Sequence, residues 1–393
     1  MENLCNSLVV EILFRLPFKS AVMCKSINKR FNTLISDPKF VAKLTLRKSS
    51  ILHCSYNPTE FYFNLPLYDP HYFEKATLTS VVLPLTCRVL AYCNGLLLLH
   101  LSRHGFLVLN PITKRYQVIE KQRFHRKAIG LAVEPITHSV HHFKVVCIDM
   151  ECPENVYGFK IFSSDTMSWT TSETKLSCIA SKFFYNSLPI YSHGSLHWLR
   201  KCGDIVVFDV EKEEARIIKL PPDLPLPFTY SKSRFGESKG LLTLISTSGE
   251  EISVWILNND NEKVEWVVKT RITNILDCEW SIRIPIFYDG ERLVLHQRRV
   301  EHKGELRMYD IVADKWRKIG MLGTKLDNIR IFLPFVPSLA EVKTASHVYN
   351  YRSMRPDKVI DQCIHELSLL LKEDGPSFLP SWCFQPEKIV DLN

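Results

Sequence analysis

Several features that would define the class of this protein at once are missing from its sequence. No stretch approaches the ~20 consecutive apolar residues of a membrane-spanning helix. The first residues, MENLCNSLVVEILF, lack the basic region that precedes the apolar run of a secretory signal. These absences exclude a membrane span and a signal peptide. We therefore expect an intracellular protein, cytoplasmic or nuclear or both, without a membrane anchor.

Signatures of metal, redox and catalytic chemistry are also missing. The 12 cysteines include no C-x-x-C pair and follow no regular spacing, which argues against a disulfide framework and a zinc site. We expect most of them to be reduced and buried as small apolar side chains. The sequence has no P-loop, no dinucleotide-binding glycine pattern and no nucleophile elbow. Catalysis therefore has no support in the sequence, and no cofactor is expected.

The net charge of +8 is unevenly distributed along the 393 residues. Residues 1–48 contain nine lysines and arginines against three acidic residues, a net charge of +6, which leaves +2 for residues 49–393. The large C-terminal part is thus nearly neutral, and the basic residues share their segment with many apolar ones. This distribution does not indicate nucleic-acid binding.

Short amphipathic helices are predicted within residues 1–48. Apolar residues recur at every fourth position up to the helix break at Pro17, with Val9 and Leu13 widening the stripe: Leu4, Leu8, Ile12 and Leu16. A second segment, which Ser20 can cap, has its own apolar face: Ile27, Phe31, Leu34 and Ile35. Residues 36–38 form a stop and restart before a further helix. So small a unit buries its apolar surface either on the rest of the chain or on another protein.

The stretch EILFRLPFKS…KSINKRFNTLISDPKF resembles an F-box, without a gap from Leu4 to about Leu46. The positions that match the F-box pattern are Glu11, Ile12, Leu13, Arg15, Leu16, Pro17, Lys19, Ser20, Ile27, Lys29, Leu34, Ile35, Asp37, Pro38 and Phe40. The sequence departs from the pattern at Cys5, where proline is usual, at Asn28, where cysteine is usual, and at Phe31, where tryptophan is usual.

This resemblance implies docking on the acidic adaptor subunit of SCF-type cullin ubiquitin ligases. The net charge of +6 would then complement the partner and speed encounter. The candidate adaptor-binding residues are Leu8, Ile12, Leu13, Leu16, Pro17, Phe18, Ile27, Phe31, Leu34 and Ile35.

From residue 85 onward, short β-rich runs separated by turn residues predict serial hairpins. Five of these hairpins align at intervals of 46–53 residues and place one residue each at an equivalent position: Tyr116, Trp169, Ala215, Trp266 and Trp316. A period near 50 is typical of a β-propeller of kelch-like spacing, in which the recurring aromatic fills the contact between blades. Residues 49–85 and 329–339 can supply a sixth blade that closes the ring. The fourth repeat has two extra turn residues, which predicts a protruding hairpin.

Residues 89–340 also resemble the F-box-associated domain that follows many plant F-boxes. The blocks that carry the resemblance, in order, are YCNGLLLL, VLNPITKRY, GLAVEPITHSVHHFKVV, YGFKIFSSDTMSW, GSLHWL and IVVFDVEKEEARIIKLP. We therefore expect an α+β multidomain protein with a helical F-box at 1–48, a mainly-β propeller-like domain at 49–345 and a tail at 346–393. The tail contains VIDQCIHELSLLLKED, which predicts an amphipathic helix that packs on the propeller or on a partner.

Two groups of side chains could suggest a ligand site in the propeller. One group lies within fifteen residues but fits no zinc spacing: His138, His141, His142, Cys147 and Cys152. The other, His193 and His197, has helical metal spacing in a strand-like block. The segment SSDTMSW is similar to an Asp-box turn, yet a hairpin turn explains it fully. We interpret all of these as structural.

Two functions from different classes are compatible with the sequence. The leading one is a receptor subunit without an active site, in which the F-box binds the adaptor, and through it a cullin, while the propeller binds a substrate protein. The alternative is a propeller enzyme or glycan-binding protein whose helical segment only packs on the body. Neither interpretation identifies the substrate.

Overall fold

The structure of the protein is a computed structural model. It describes residues 4–16, 18–47, 50–55, 60–66, 79–82, 87–102, 105–120, 128–134, 140–151, 156–177, 181–183, 188–224, 233–248, 251–260, 263–273, 281–299, 304–322, 330–338, 341–342 and 358–370. Within these residues, no helix is long and apolar enough to cross a membrane.

Four short α-helices and one 3-10 helix form the N-terminal unit, as the resemblance to an F-box implies. Their bounds are α1 Asn6–Arg15, α2 Phe18–Met23, the 3-10 helix Cys24–Ser26, α3 Lys29–Ser36 and α4 Pro38–Arg47. Asn28 begins α3, because its Oδ1 accepts the Phe31 N–H at 2.9 Å. The predicted restart at residues 36–38 is confirmed, with the Lys39 N–H donating to Asp37 Oδ1 at 2.8 Å. Ser20, predicted to cap the second helix, lies inside α2 because that helix already begins at residue 18.

The helical unit has its own small core. Its buried side chains come from all four α-helices: Val9, Leu13, Phe14, Ala21, Phe31, Ile35, Phe40 and Leu44. The rings of Phe14 and Phe40 stack with centroids 5.0 Å apart. Arg30 joins α3 to the start of the chain, donating to Asn6 Oδ1 at 2.9 Å and to the Leu4 carbonyl. Each of the seven large buried side chains contributes about 1.5–3 kcal/mol, and Ala21 less, so this core supports only a marginal domain.

Twenty-six strands follow within the described part of the chain, and a fifth helix comes last. Their bounds are β1 Ser50–Ser55, β2 Glu60–Pro66, β3 Thr79–Val82, β4 Cys87–Cys93, β5 Leu96–Leu101, β6 Gly105–Asn110, β7 Arg115–Ile119, β8 Ala128–Val133, β9 Val140–His141, β10 Phe143–Glu151, β11 Val156–Ser163, β12 Ser168–Ser177, β13 Ile190–Ser192, β14 Ser195–Arg200, β15 Asp204–Asp209, β16 Ala215–Lys219, β17 Ser233–Ser238, β18 Leu241–Ser248, β19 Glu251–Asp260, β20 Lys263–Ile272, β21 Ser281–Tyr288, β22 Arg292–Arg299, β23 Gly304–Asp310, β24 Lys315–Leu322, β25 Arg330–Phe335, β26 Glu341–Val342 and α5 Lys358–Leu370.

Most strands form six four-stranded antiparallel sheets. Five sheets, called blades 1 to 5, are built from strands close in sequence: β4–β7, then β8 with β10–β12, then β13–β16, β17–β20 and β21–β24. The sixth, called the closing sheet, has the order β25-β1-β2-β3 and thus joins distant parts of the chain. The first strands of successive blades contact one another around a central axis, and β25 occupies the same place in the closing sheet. The predicted propeller and the predicted origin of its last sheet are confirmed.

The repeating aromatic residues lie at equivalent places in their sheets. Each stands on the fourth strand of its blade opposite a residue near the end of the third, as Trp169 stands opposite Phe162 and Trp316 opposite Tyr309. Trp169 contacts Phe106 of blade 1 at a centroid distance of 6.3 Å. The predicted packing of these aromatic residues between neighbouring sheets is confirmed. Ala215 also lies at such a boundary, between blades 2 and 3, but it is not aromatic.

The turns within the blades have a common geometry that explains their residues. Between the third and fourth strands, the last turn residue has φ near +55° in four blades: Lys114 (φ 59), Met167 (φ 52), Glu213 (φ 54) and Asp314 (φ 51). A polar residue at the end of the third strand accepts backbone N–H groups of the turn, as Asp310 Oδ1 does from residues 312 and 313. In the fourth blade, strand pairing continues to Asp260 and Lys263, and the tip of the predicted protruding hairpin, residues 261–262, lies outside the described residues.

The chain closes the ring with a segment that follows β25. The hydroxyl of Tyr92 accepts the Val336 N–H at 2.6 Å and donates to the Val336 carbonyl at 3.1 Å. Gly95, with φ +86°, lies directly against this segment. A Cβ at position 95 would stand 2.4 Å from Ser338 Cβ, so the close approach requires glycine. Helix α5 then packs on blade 1 and the closing sheet through Cys363 and Leu367. Its predicted packing on the propeller is confirmed.

Candidate functional site

The helical unit exposes an unusual amount of apolar surface for its size. Ten large apolar side chains are exposed in the described residues, and half of them lie on these helices: Leu8 (52% exposed), Ile12 (41%), Met23 (64%), Ile27 (60%) and Val41 (40%). We call these five side chains the helical apolar set. Exposed apolar side chains concentrated on one small unit are typical of a protein-binding surface.

The predicted adaptor-binding residues divide into four groups: exposed, half-buried, buried, and those whose side chains are not described. Leu8, Ile12 and Ile27 are exposed, whereas Leu16 and Leu34 are half-buried. Pro17 lies outside the described residues. The backbone of Phe18 begins α2, but its side chain is not among those described.

Three of the predicted residues do not reach the surface. Leu13, Phe31 and Ile35 are 1%, 5% and 0% exposed and belong to the core of the helical unit. In the free chain their side chains are covered by the neighbouring helices, and the prediction that they contact a partner stays a prediction. The sequence was ambiguous here because α1 is apolar on two sides. Val9 and Leu13 face inward, whereas Leu8 and Ile12 face outward.

Two exposed residues of the helical apolar set were missed by sequence reasoning. Met23 ends α2, and Val41 lies on α4 one position after the buried Phe40. Both could have been found in the sequence as apolar residues that the helical period places outside the buried face of their helix. Such residues are informative only after the inward face of each helix is known.

Basic side chains accompany the apolar ones. Lys29, Lys39 and Lys43 are exposed on α3 and α4, and Lys25 is half-exposed on the 3-10 helix. Arg15 lies 3.5 Å from Glu11 one turn away on α1, an exposed pair that adds little stability. Exposed positive charge around apolar side chains favours an acidic partner with an apolar patch.

The first predicted group of histidines and cysteines is spread over strands and turns of the propeller, and the side chain of His141 in β9 is not among those described. His138 and Cys152 lie outside the described residues. Cys147 is buried in β10, and His142 Nδ1 lies 2.6 Å from Asp165 Oδ1 beside the SSDTMSW turn. In that turn, Ser164 Oγ accepts the Phe143 N–H at 2.9 Å, as expected of a hairpin turn. No group of three or more potential metal ligands occurs in the part of the chain that the structure describes.

The pair His193 and His197 is also explained by the fold. His193 lies in a two-residue turn with φ 46°, whereas His197 lies in β14 with its Nδ1 3.2 Å from the Ile190 carbonyl oxygen. Burial lowers the pKa of His197 to about 4, so this histidine is neutral near pH 7. A neutral, buried side chain hydrogen-bonded to the backbone is a structural histidine.

A buried ion pair within blade 3, which contacts Tyr157 of blade 2, was not predicted from the sequence. Arg200 donates from Nε and Nη2 to the two carboxylate oxygens of Asp204, both at 2.6 Å, and both side chains are almost fully buried. The Tyr157 hydroxyl lies 3.4 Å from Arg200 Nη1 and donates to the Ser181 carbonyl at 3.0 Å. Burial opposes ionisation of Asp204, but hydrogen bonds from Arg200 and Cys202 together with the positive charges of Arg200 and Lys219 outweigh it, and the pKa of Asp204 lies below its ordinary value. The group joins two blades and needs no ligand.

Comparisons with known proteins agree with this geometry. Two family models match the chain, the F-box domain over residues 1–43 and the F-box associated beta propeller domain over residues 65–342. A relative in Arabidopsis thaliana, the F-box protein At1g20360, is 30% identical over 295 residues, which cover 70% of this chain and 93% of that one. The F-box protein ETP2 of the same plant is 24% identical over 388 residues, covering 88% and 97% of the two chains.

Solved structures add only a distant likeness. The periplasmic gluconolactonase PpgL of Pseudomonas aeruginosa has a TM-score of 0.36 and 12% identity, covering 70% of this chain and 83% of that one. A likeness of this size carries no functional argument.

Proposed function

The chain belongs to the F-box-associated β-propeller family, and from this we propose that it is the substrate-recognition subunit of an SCF-type cullin-RING ubiquitin ligase. The F-box docks on the acidic adaptor subunit of the ligase and, through it, on a cullin. The propeller binds a substrate protein, and other subunits transfer ubiquitin to it. The chain itself is non-catalytic and acts inside the cell, in the cytoplasm, the nucleus or both.

The observation that carries this proposal is the exposure of apolar side chains on a helical unit that matches the F-box family model. Leu8, Ile12 and Ile27 are exposed although the unit has only a marginal core of its own. Full burial of a large apolar side chain contributes about 1.5–3 kcal/mol, and each member of the helical apolar set has 40–64% of its surface left to cover, so a partner that covers the set gains part of that energy at each side chain.

Charge supports an acidic partner rather than a neutral one. The F-box segment carries a net charge of +6, and its lysines lie on the same short helices as the helical apolar set. Charges at the rim of an interface mainly increase the association rate and are screened by salt. The apolar residues therefore set the affinity, and the lysines set the speed of encounter.

The proposal is tested by binding of the full chain to the immobilised adaptor. Leu8→Asp and Ile27→Asp place a carboxylate in the interface and are expected to weaken binding by about tenfold to a hundredfold, equivalent to about 1.4–2.8 kcal/mol. The matched control is Val267→Asp, because Val267 is 45% exposed on the propeller and lies far from the helices in sequence. Equal adaptor binding by all three variants and the unmodified chain would contradict the proposed interface. Failure of the unmodified chain to bind would contradict the function itself.

A further inference from the structure

The F-box and the propeller share a side chain. Ile112 lies in the turn at residues 111–114, between β6 and β7 of blade 1. It packs against the buried core of the helical unit and also against the core that blade 1 shares with the closing sheet and α5. A single apolar residue thus belongs to both units.

The equivalent residue of another blade shows that this contact is specific to blade 1. Val312 occupies the same place in the turn at residues 311–314 of blade 5, and it is 83% exposed. The two turns have the same length and end with a residue at nearly the same φ, 59° for Lys114 and 51° for Asp314. The turn geometry alone therefore does not bury the apolar side chain, whereas the contact with the F-box does.

Asn110 fixes the turn that carries Ile112. Its Oδ1 accepts the N–H groups of Ile112 at 2.9 Å and Thr113 at 3.3 Å, and its Nδ2 donates to the Ser338 carbonyl at 3.0 Å. Asp209 and Asp310 occupy the same place in blades 3 and 5, and each accepts the same two turn N–H groups. An aspartate cannot donate a hydrogen bond, so only the amide of Asn110 can also bind a carbonyl. Asn110 is fully buried, which makes that bond difficult to replace with water.

Both attachments of the F-box lead to the same part of the propeller. Only residues 48 and 49 separate the end of α4 from β1, and β1 pairs along its length with β25. The segment after β25 contains Ser338, which Asn110 holds. The covalent attachment and the Ile112 contact therefore both connect the F-box to the strand that closes the ring. A body held at two separate points cannot rotate freely about either one.

We propose that Ile112 and Asn110 are positioning residues that hold the F-box at a fixed orientation on the propeller. Ile112 makes the contact, and Asn110 holds the turn to the closing strand. The consequence for ubiquitin transfer rests on the proposed function: a substrate on the propeller is presented to the ligase at a constant distance and direction. The orientation itself does not depend on an adaptor being bound.

The orientation is measured on the full chain by single-molecule fluorescence energy transfer. One dye is attached at the position of the exposed Lys39 on α4, and the other is attached at the position of the exposed Lys212 in a turn of blade 3. The unmodified chain and the matched control Val312→Ser are expected to give one narrow distance distribution. Ile112→Ser is expected to widen the distance distribution, because serine cannot make the apolar contact. Ile112→Val keeps an apolar side chain and is expected to give the narrow distribution of the unmodified chain.

A second variant tests the amide of Asn110. Asn110→Asp keeps the two turn hydrogen bonds, as in blades 3 and 5, but removes the donor to Ser338 and is expected to widen the distribution as well. Adaptor pull-down of Ile112→Ser is expected to equal that of Val312→Ser, because a positioning role leaves the adaptor-binding helices folded. Its melting temperature should fall only slightly, through the lost apolar contact, and unfolding should stay cooperative. A distribution for Ile112→Ser as narrow as that of the control would overturn the proposal. So would a broad distribution in the unmodified chain, or loss of adaptor binding in Ile112→Ser alone.

Discussion

At the scale of single residues, the buried group around Arg200 shows how one pair of charges joins two blades. The guanidinium and the carboxylate of Asp204 make two parallel hydrogen bonds of 2.6 Å, and Arg200 is 1% exposed. A charge removed from water at this depth is tolerated only while its partner is present. The pair therefore contributes less to absolute stability than to fixing the alignment of blades 2 and 3.

Removing one charge is expected to be more harmful than removing both. Arg200→Met leaves the buried Asp204 carboxylate without its bidentate partner, with only the Cys202 thiol at 3.1 Å and the exposed Lys219 Nζ at 3.5 Å beside it. The change should reduce the free energy of unfolding by about 3–5 kcal/mol. The double variant Arg200→Met, Asp204→Leu should lose clearly less, because no buried charge remains. Urea unfolding of the three proteins measures both values. A single variant as stable as the double one would contradict the account.

The pH dependence of this pair follows from the lowered pKa of Asp204. A carboxyl group with a lower pKa in the folded state stabilises the fold above its ordinary value of 3.8, and this contribution is lost as the pH falls through the folded pKa. The advantage of the unmodified chain over Arg200→Met should therefore shrink in acid and remain constant near neutral pH. Unfolding midpoints measured from pH 7 downward check the sign.

At the scale of elements, the fourth strand of each blade carries the residue that joins it to the preceding sheet. Trp169 packs on Phe106 across the boundary between blades 1 and 2. Trp266 does the same between blades 3 and 4, and its Nε1 donates to the Lys219 carbonyl at 2.9 Å. The aromatic ring thus combines apolar burial with a hydrogen bond to the neighbouring blade.

Truncation of these rings is expected to weaken the boundary between two blades. Trp169→Ala should reduce the free energy of unfolding by about 3–5 kcal/mol, as large deletions in cores do. Trp266→Phe keeps an aromatic ring at the boundary but loses the Nε1 hydrogen bond and part of the indole surface, and it should lose less, about 1–2 kcal/mol. Chemical denaturation followed by circular dichroism measures both. Equal losses for the two variants would show that ring burial is not the main contribution.

How far sequence reasoning succeeds also depends on the element. The repeat near 50 residues predicted the propeller, because a period survives even where single strands are ambiguous. Burial in the helices was harder to predict. Leu8 and Leu13 are both leucines on α1, yet one is 52% and the other 1% exposed. Only the packing of α1 on the other helices decides which apolar face turns inward.

Contacts between distant segments were beyond sequence reasoning. The residue type alone does not distinguish Ile112 from Val312, since both are β-branched residues in equivalent turns. The Arg200–Asp204 pair likewise has the charges of an ordinary hairpin. Ile112 acquires its role from the F-box core that packs against it. Arg200 acquires its role from Tyr157 of blade 2, whose ring lies next to its guanidinium.

At the scale of the whole molecule, the stability of the ring depends on its late segments. The closing sheet takes three strands from the start of the propeller and β25 from its end, so the ring closes only when residues 330–335 pair with residues 50–55. Helix α5 then covers the boundary between this sheet and blade 1 with Ile360, Cys363 and Leu367. The order of these layers predicts a graded response to truncation.

Truncation after residue 345 removes α5 but leaves β25 and β26 in place. Because α5 buries three apolar side chains that contribute about 1.5–3 kcal/mol each when large, the melting temperature should fall while unfolding stays cooperative.

Truncation after residue 329 also removes β25 and the segment that Asn110 and Tyr92 hold. The closing sheet then loses its inner strand, and the F-box loses the strand to which both of its attachments lead. This variant should lose the sharp transition altogether, since the remaining stability of a domain is only about 5–15 kcal/mol. Melting curves by circular dichroism and adaptor pull-down of both truncations decide the matter. A cooperative transition in the shorter protein would show that blades 1 to 5 are stable without closure.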